Sequence, residues 1–208
     1  MVSDDRLEVA VGVVGGRWGA GASDVVVSRT VIFVKPDYWV VRDVLFGTGL
    51  HAIIACWQFF TGLVLEESGN TRIASVDERG SGLELIPLLG SEEAEYDVKT
   101  GSLRPPRGWV SLNGSDQPAT SCRCTIKADL PVTLLWVVLP YSRRDRSTVR
   151  ATRDDRENRE IRVAISFPGT HEDRFTFTHP SDADAEKRPL LHEWGSLSRK
   201  SPYRPGTK

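Results

Sequence analysis

Arg29, Asp43 and His51 stand out because they lie in the densest run of β-branched and aromatic residues in the chain, Val25 to Phe60. A carboxylate in an apolar strand needs a cation or a metal ion beside it, because an unpaired buried charge is costly. Two chemistries follow for Asp43. Either it forms a cross-strand ion pair with Arg29 that fixes strand register, or it is one ligand of a metal completed by His51 or a backbone carbonyl. Trp109, in Arg107-Gly108-Trp109, is either an exposed aromatic platform or a core tryptophan. The other histidines, His171, His179 and His192, fall in no HxH or HExxH spacing, and there is no GxSxG elbow. Cys122 and Cys124 sit two apart, on one face if the stretch is a strand, with no second pair to complete a metal set. Buried or half-buried thiols are the expectation there.

The elements that must position these residues read as strands. Val25–Val34 and Tyr38–Phe46 are joined by Lys35-Pro36-Asp37, whose Pro and Asp are turn residues. A three-residue loop pairs Val34 with Tyr38, and counting back sets Phe33 against Trp39, Val31 against Val41 and Arg29 against Asp43. A two-residue loop would break the ion pair, so the pair rests on the register. Gly47-Thr48-Gly49 reads as a second turn, leading to a third strand over His51–Phe60 and a three-stranded meander. Leu7 to Val13 alternates with period two, as a half-buried strand does. Gly15 to Gly21 is a glycine-rich connection, and no helix follows on which a phosphate could dock.

Further strands are expected at Arg72–Val76, Leu83–Leu88, Ala94–Val98, Trp109–Leu112, Cys122–Ala128, Val132–Leu139, Thr148–Thr152, Ile161–Phe167 and Arg174–Thr178. Turn signals separate them, among them Asn113-Gly114, Leu130-Pro131 and Pro168-Gly169. This pattern predicts an all-β fold, an antiparallel β-sandwich of many short strands. Arg143 to Glu160 mixes both charges and reads as a solvated loop or edge hairpin, with a polyanion site as the alternative. Residues 1–179 form the expected domain. Residues 180–208 lose alternation and read as a polar, flexible C-terminal tail, from which Leu190, Leu191 and Trp194 could dock on the core.

Composition narrows the function classes. Lys+Arg 27 against Asp+Glu 28 leaves a net charge of −1 over 208 residues, so nothing global points to nucleic acid or an anionic membrane. No apolar run approaches the roughly 20 residues of a membrane span. Three cysteines make no disulfide framework. The start Met1-Val2-Ser3-Asp4-Asp5-Arg6 does not read as an export signal, which leaves a cytoplasmic location open. The alternative is a fragment whose targeting segment lies elsewhere.

The order Ser28-Arg29-Thr30-Val31-Ile32-Phe33-Val34, Asp37-Tyr38-Trp39-Val40-Val41-Arg42-Asp43, Gly47-Thr48-Gly49-Leu50-His51 and Trp57-Gln58-Phe59 resembles the C-terminal β-sheet domain of heparinase II/III-like polysaccharide lyases. Pro105-Pro106-Arg107-Gly108-Trp109-Val110-Ser111, Pro118-Ala119 and Leu130 to Pro140 fit the rear half of the same family. The likeness runs in order from about Leu7 to Pro140. It implies a supersandwich β-domain that packs on an N-terminal α/α toroid, and β-elimination on a uronic-acid polysaccharide. In that reaction a base removes the proton α to the carboxyl, a neutralising group stabilises the enolate and the leaving oxygen is protonated. It also implies a periplasmic, envelope or secreted location.

Within the resemblance, His51 matches a family histidine after the glycines and is the candidate catalytic group, with a structural hydrogen bond as the alternative. Arg29 and Trp109 are candidates for binding substrate. Some members hold a metal in the sheet with the aspartate ending the second strand and histidines that here are Val27 and Gln58. Asp43 is the one ligand left of that set, so no cofactor is expected, with zinc or calcium the ions concerned.

Two functions remain open. The chain is the β-domain of a lyase, inactive without its toroid, or it is a non-catalytic carbohydrate-binding or protein-interaction module. An independent enzyme using His51 and Asp43 is a third.

Overall fold

The computed structural model describes residues 2–3, 5–15, 25–67, 72–89, 94–142, 149–157, 159–180 and 196–200. The glycine-rich connection after Gly15, Arg143 to Thr148, and Leu190, Leu191, His192 and Trp194 lie outside the described residues.

Strand formation follows the alternation, and the described residues form two layers. The larger sheet holds β1 (Val2–Ser3), β2 (Leu7–Gly15), β3 (Val26–Val34), β4 (Tyr38–Gln58), β5 (Val64–Glu67), β6 (Ile73–Val76), β7 (Ser81–Leu88), β8 (Ala94–Thr100) and, after two small hairpins, β13 (Thr120–Ser142). The hairpins are β9 (Ser102–Leu103) with β10 (Pro106–Arg107), and β11 (Trp109–Leu112) with β12 (Ser115–Pro118). The second layer is the antiparallel sheet β14 (Arg150–Asp155), β15 (Glu160–Phe167), β16 (His171–Thr178) and β17 (Ser196–Lys200). The fold is an all-β sandwich, as the sequence predicts. Among the described residues no helix is long and apolar enough to cross a membrane.

Side-chain parity builds two cores from the same strands. Ile32, Val34, Tyr38, Val40, Leu135 and Val137 face the small sheet and meet Ile161, Val163, Ile165, Phe175 and Phe177. The odd residues Val41 and Leu45, with Leu134 and Trp136, face the other way and form a second core with Ile53, Cys124 and Ile126. That second core exists because the large sheet folds over on itself. Trp57, far along β4, reaches Trp136 edge-on with ring centroids 5.4 Å apart.

This folding corrects two expectations. Gly47-Thr48-Gly49 is not a turn, and the expected second and third strands are one strand of 21 residues, β4. Likewise Leu130-Pro131 lies inside the 23-residue β13. Leu130 pairs with Gly49 and Val132 with Leu45, so Phe46, Gly47 and Thr48 face Pro131 alone. The surplus is a bulge on β4. Gly49 adopts φ 80°, which a side chain would resist. Pro131 has no N–H to leave unpaired where the ladder breaks. A bulge uses the same residues as a turn, and sequence alone does not separate them.

A third correction concerns the C-terminal stretch. Ser196–Lys200 pairs with β16 as an edge strand, so those residues belong to the sandwich rather than to a flexible tail. Of the expected Thr148–Thr152 strand, the part from Arg150 is realised in β14, an edge of the small sheet. Within it Arg153 is not solvated: its side chain is 5% exposed and donates to the Leu88 and Thr133 carbonyls at 2.9 Å.

Candidate functional site

The three-residue loop and its register hold. Val34 pairs with Tyr38, Phe33 with Trp39, Val31 with Val41 and Arg29 with Asp43. Arg29 Nε donates to Asp43 Oδ1 at 2.6 Å and its Nη2 to Oδ2 at 2.8 Å, a two-pronged contact that fills both carboxylate oxygens. The Asp43 side chain is 6% exposed and that of Arg29 is 55% exposed. The carboxylate is therefore sunk in the sheet while part of the guanidinium stays open. The hydrogen bond to Asp43 raises the Arg29 pKa, against a smaller lowering by burial.

Around this pair the folded-over sheet leaves a cleft of about 960 Å³. Val27, Val31, Leu45 and Ile53 line it with apolar surface, and Arg29, Asp43 and His51 lie on it. His51 is brought there by the bulge, which turns the outer half of β4 over the face of β3. Its Nε2 donates to the Thr48 carbonyl at 3.0 Å. A carbonyl only accepts, so a neutral His51 carries its proton on Nε2 and presents Nδ1 as an acceptor.

The sequence thus places three of its candidates in one cleft, and the fourth lies elsewhere. Trp109 starts β11 in the hairpin excursion, is half-buried, and donates from Nε1 to the Ser102 carbonyl at 2.8 Å. Gly108 beside it has φ 76°, and a Cβ there would lie 2.6 Å from the Lys99 carbonyl oxygen, so only glycine permits this corner.

The donor set does not fit a metal. Both Asp43 oxygens are committed to Arg29. Val27 lies on the cleft as an apolar residue. Gln58 donates instead to the Phe59 and Thr120 carbonyls at 3.0 and 3.1 Å. Among the described residues no group of three His, Cys, Asp or Glu side chains could hold an ion. Cys122 and Cys124 are buried thiols. Burial pushes the Cys122 thiol up to about 11 from 9.0.

A second polar cluster, absent from the sequence reading, lies between the layers. Asp173, fully buried on β16, accepts from Tyr38 Oη at 2.8 Å and from Arg199 Nε and Nη2 at 2.7 and 2.8 Å. His171 Nε2 stands 3.7 Å from the same carboxylate, and its ring stacks on Phe167. The residues come from β4, β16 and β17, far apart in sequence, and no local spacing announces them.

No protein-family model matches the chain, and no curated protein does. Solved structures do match. The chain is similar to heparan sulfate lyase HepC from Pedobacter heparinus, with a TM-score of 0.62 and 13% identity over 86% of this chain and 27% of that one. A heparinase III structure matches with a TM-score of 0.58 and 14% identity over 84% of this chain and 29% of its own. The chain therefore spans less than a third of the length of the structures it matches, and it shares the fold of that part of the heparan sulfate lyase and heparinase III structures.

Proposed function

We propose that the chain is the β-domain of a polysaccharide lyase that cleaves uronic-acid polysaccharide by β-elimination, inactive alone and completed by an α/α toroid domain. The observation that carries the reading is the cleft itself, an apolar trough with a half-open guanidinium and a histidine acceptor on its walls. In this reading Arg29 meets a uronate carboxylate with the part of its guanidinium that Asp43 leaves open. His51 accepts from a sugar hydroxyl through Nδ1.

β-Elimination needs a base, a group that neutralises the enolate and an acid for the leaving oxygen. The cleft offers one histidine and one carboxylate already committed to its partner. The remaining groups then come from the toroid. Location in the periplasm, envelope or medium belongs to the same proposal, since the polymer is met there.

A second reading, a binding module without turnover, is favoured by one observation: both Asp43 oxygens already accept from the Arg29 guanidinium. The test is to assay the chain alone and with a toroid domain for unsaturated uronate by ultraviolet absorbance, on heparin, heparan sulfate, alginate and chondroitin. Product only with the toroid is expected. Steady turnover by the chain alone would overturn the accessory reading, and binding without turnover in either case would favour the module.

A further inference from the structure

The outward face of the small sheet carries a groove of about 460 Å³ that the proposed function does not use. Its floor is made of short side chains, Thr152, Ala164, Thr176 and Ser198, one from each strand. Over that floor stand Arg162 on β15 and Arg174 on β16. Arg162 pairs with Thr176 and Arg174 with Ala164, so the two arginines are diagonal neighbours, with Cα atoms about 7 Å apart.

Each guanidinium is anchored in the same way. Arg162 Nε donates to Glu160, and Arg174 Nε donates to Glu172 at 2.6 Å, each carboxylate two residues back on the same strand. The anchors take the Nε edge and leave the terminal Nη1/Nη2 forks, for which no described residue supplies an acceptor. Both side chains are about half exposed, at 55% and 53%. Two like charges held this close, with fixed planes and open forks, suit an oxyanion that bridges them.

We propose that Arg162 and Arg174 form a second binding site, for the carboxylate or sulfate groups of an acidic polysaccharide. The surroundings select that ligand. The threonine and serine hydroxyls of the floor accept hydrogen bonds from sugar hydroxyls, and Asp154 is held beside them by Arg156. Among the described lining residues the one aromatic, Phe175, is buried in the inner core, so none is offered to stack on a base. The groove crosses four strands, the track a linear chain would follow. Naming the ligand as a polysaccharide rests on the function proposed above; the site does not. The groove lies on the opposite side of the sandwich from the cleft, so a chain long enough to reach both gains avidity.

The test is isothermal titration of the whole chain with long and tetrasaccharide heparan sulfate and with inorganic sulfate. The double variant Arg162→Ala/Arg174→Ala removes two solvent-facing side chains, and circular dichroism checks its fold. It is expected to bind the long polymer at least roughly tenfold more weakly. Arg162→Lys/Arg174→Lys, which keeps the charges and loses the forks, should fall between. Wild-type affinity in the double alanine variant would overturn the site and leave the cleft reading standing. No binding of any acidic glycan by the wild type would overturn both. Equal affinity for inorganic sulfate and the polymer would reduce the groove to a small-anion site and overturn the polysaccharide assignment.

Discussion

Asp43 and Asp173 are the same device in two settings. Each is a buried carboxylate held by two nitrogens of an arginine directly opposite on the neighbouring strand. Asp173 lies between the sheets, where Tyr38 adds a third donor and binds the large layer to the small one. Asp43 faces the cleft, and its arginine is 55% exposed against 32% for Arg199. The inner pair acts as a staple, and Arg199 Nη2 also donates to Asp37 at 3.3 Å. The outer pair keeps one side of its guanidinium available. The same pairing is closed over or left facing a cleft according to what covers the cation.

The contrast can be broken from the inside first. Arg199→Ala leaves Asp173 buried with Tyr38 as its remaining donor and frees β17. It is expected to cost about 3 kcal/mol in urea unfolding. Arg29→Ala leaves Asp43 buried too, but beside an open cleft from which water can approach. About 2 kcal/mol is expected, together with weaker binding of acidic oligosaccharide. If both variants cost the same and glycan binding is untouched, the distinction between staple and ligand-facing pair fails. Tyr38→Phe removes one neutral donor to Asp173 and should cost about 1 kcal/mol, with no effect on binding.

The smallest effect is a pH dependence. Burial raises the folded Cys122 thiol to about 11 from 9.0. A raised pKa gives stability that is full below 9.0 and is lost as pH rises through about 11, because the unfolded thiol ionises first. The Tyr38 phenol, raised by burial and by Asp173, acts in the same direction. The melting temperature should therefore drop across this window, and less so in Cys122→Ala. At neutral pH a thiol reagent should label exposed Cys56 and spare Cys122 and Cys124.

The outer pair was legible in the sequence and the inner one was not, for physical reasons. Arg29 and Asp43 sit on strands joined by a three-residue loop, so counting from Pro36 fixes their opposition. Asp173 and Arg199 are also cross-strand partners, yet they are 26 positions apart, and Arg199 lies where alternation has faded. The glycines at 47 and 49 were visible as a break in strand geometry. Whether the chain reverses there or only bulges depends on Leu130 and Val132, about eighty residues later. That one difference folds β4 over the face of β3 and makes the cleft that His51 and Arg29 both line. The anchored arginines of the small sheet lie partly in a segment that reads as mixed charge, and their common face appears only once β15 and β16 are paired.

The cleft is most directly tested by two-dimensional amide NMR of the isotope-labelled chain, titrated with a heparan sulfate tetrasaccharide. The account predicts saturable shifts at Val27, Arg29, His51 and Ile53 that Arg29→Ala largely abolishes. Saturable binding that leaves those four amides unmoved would contradict it.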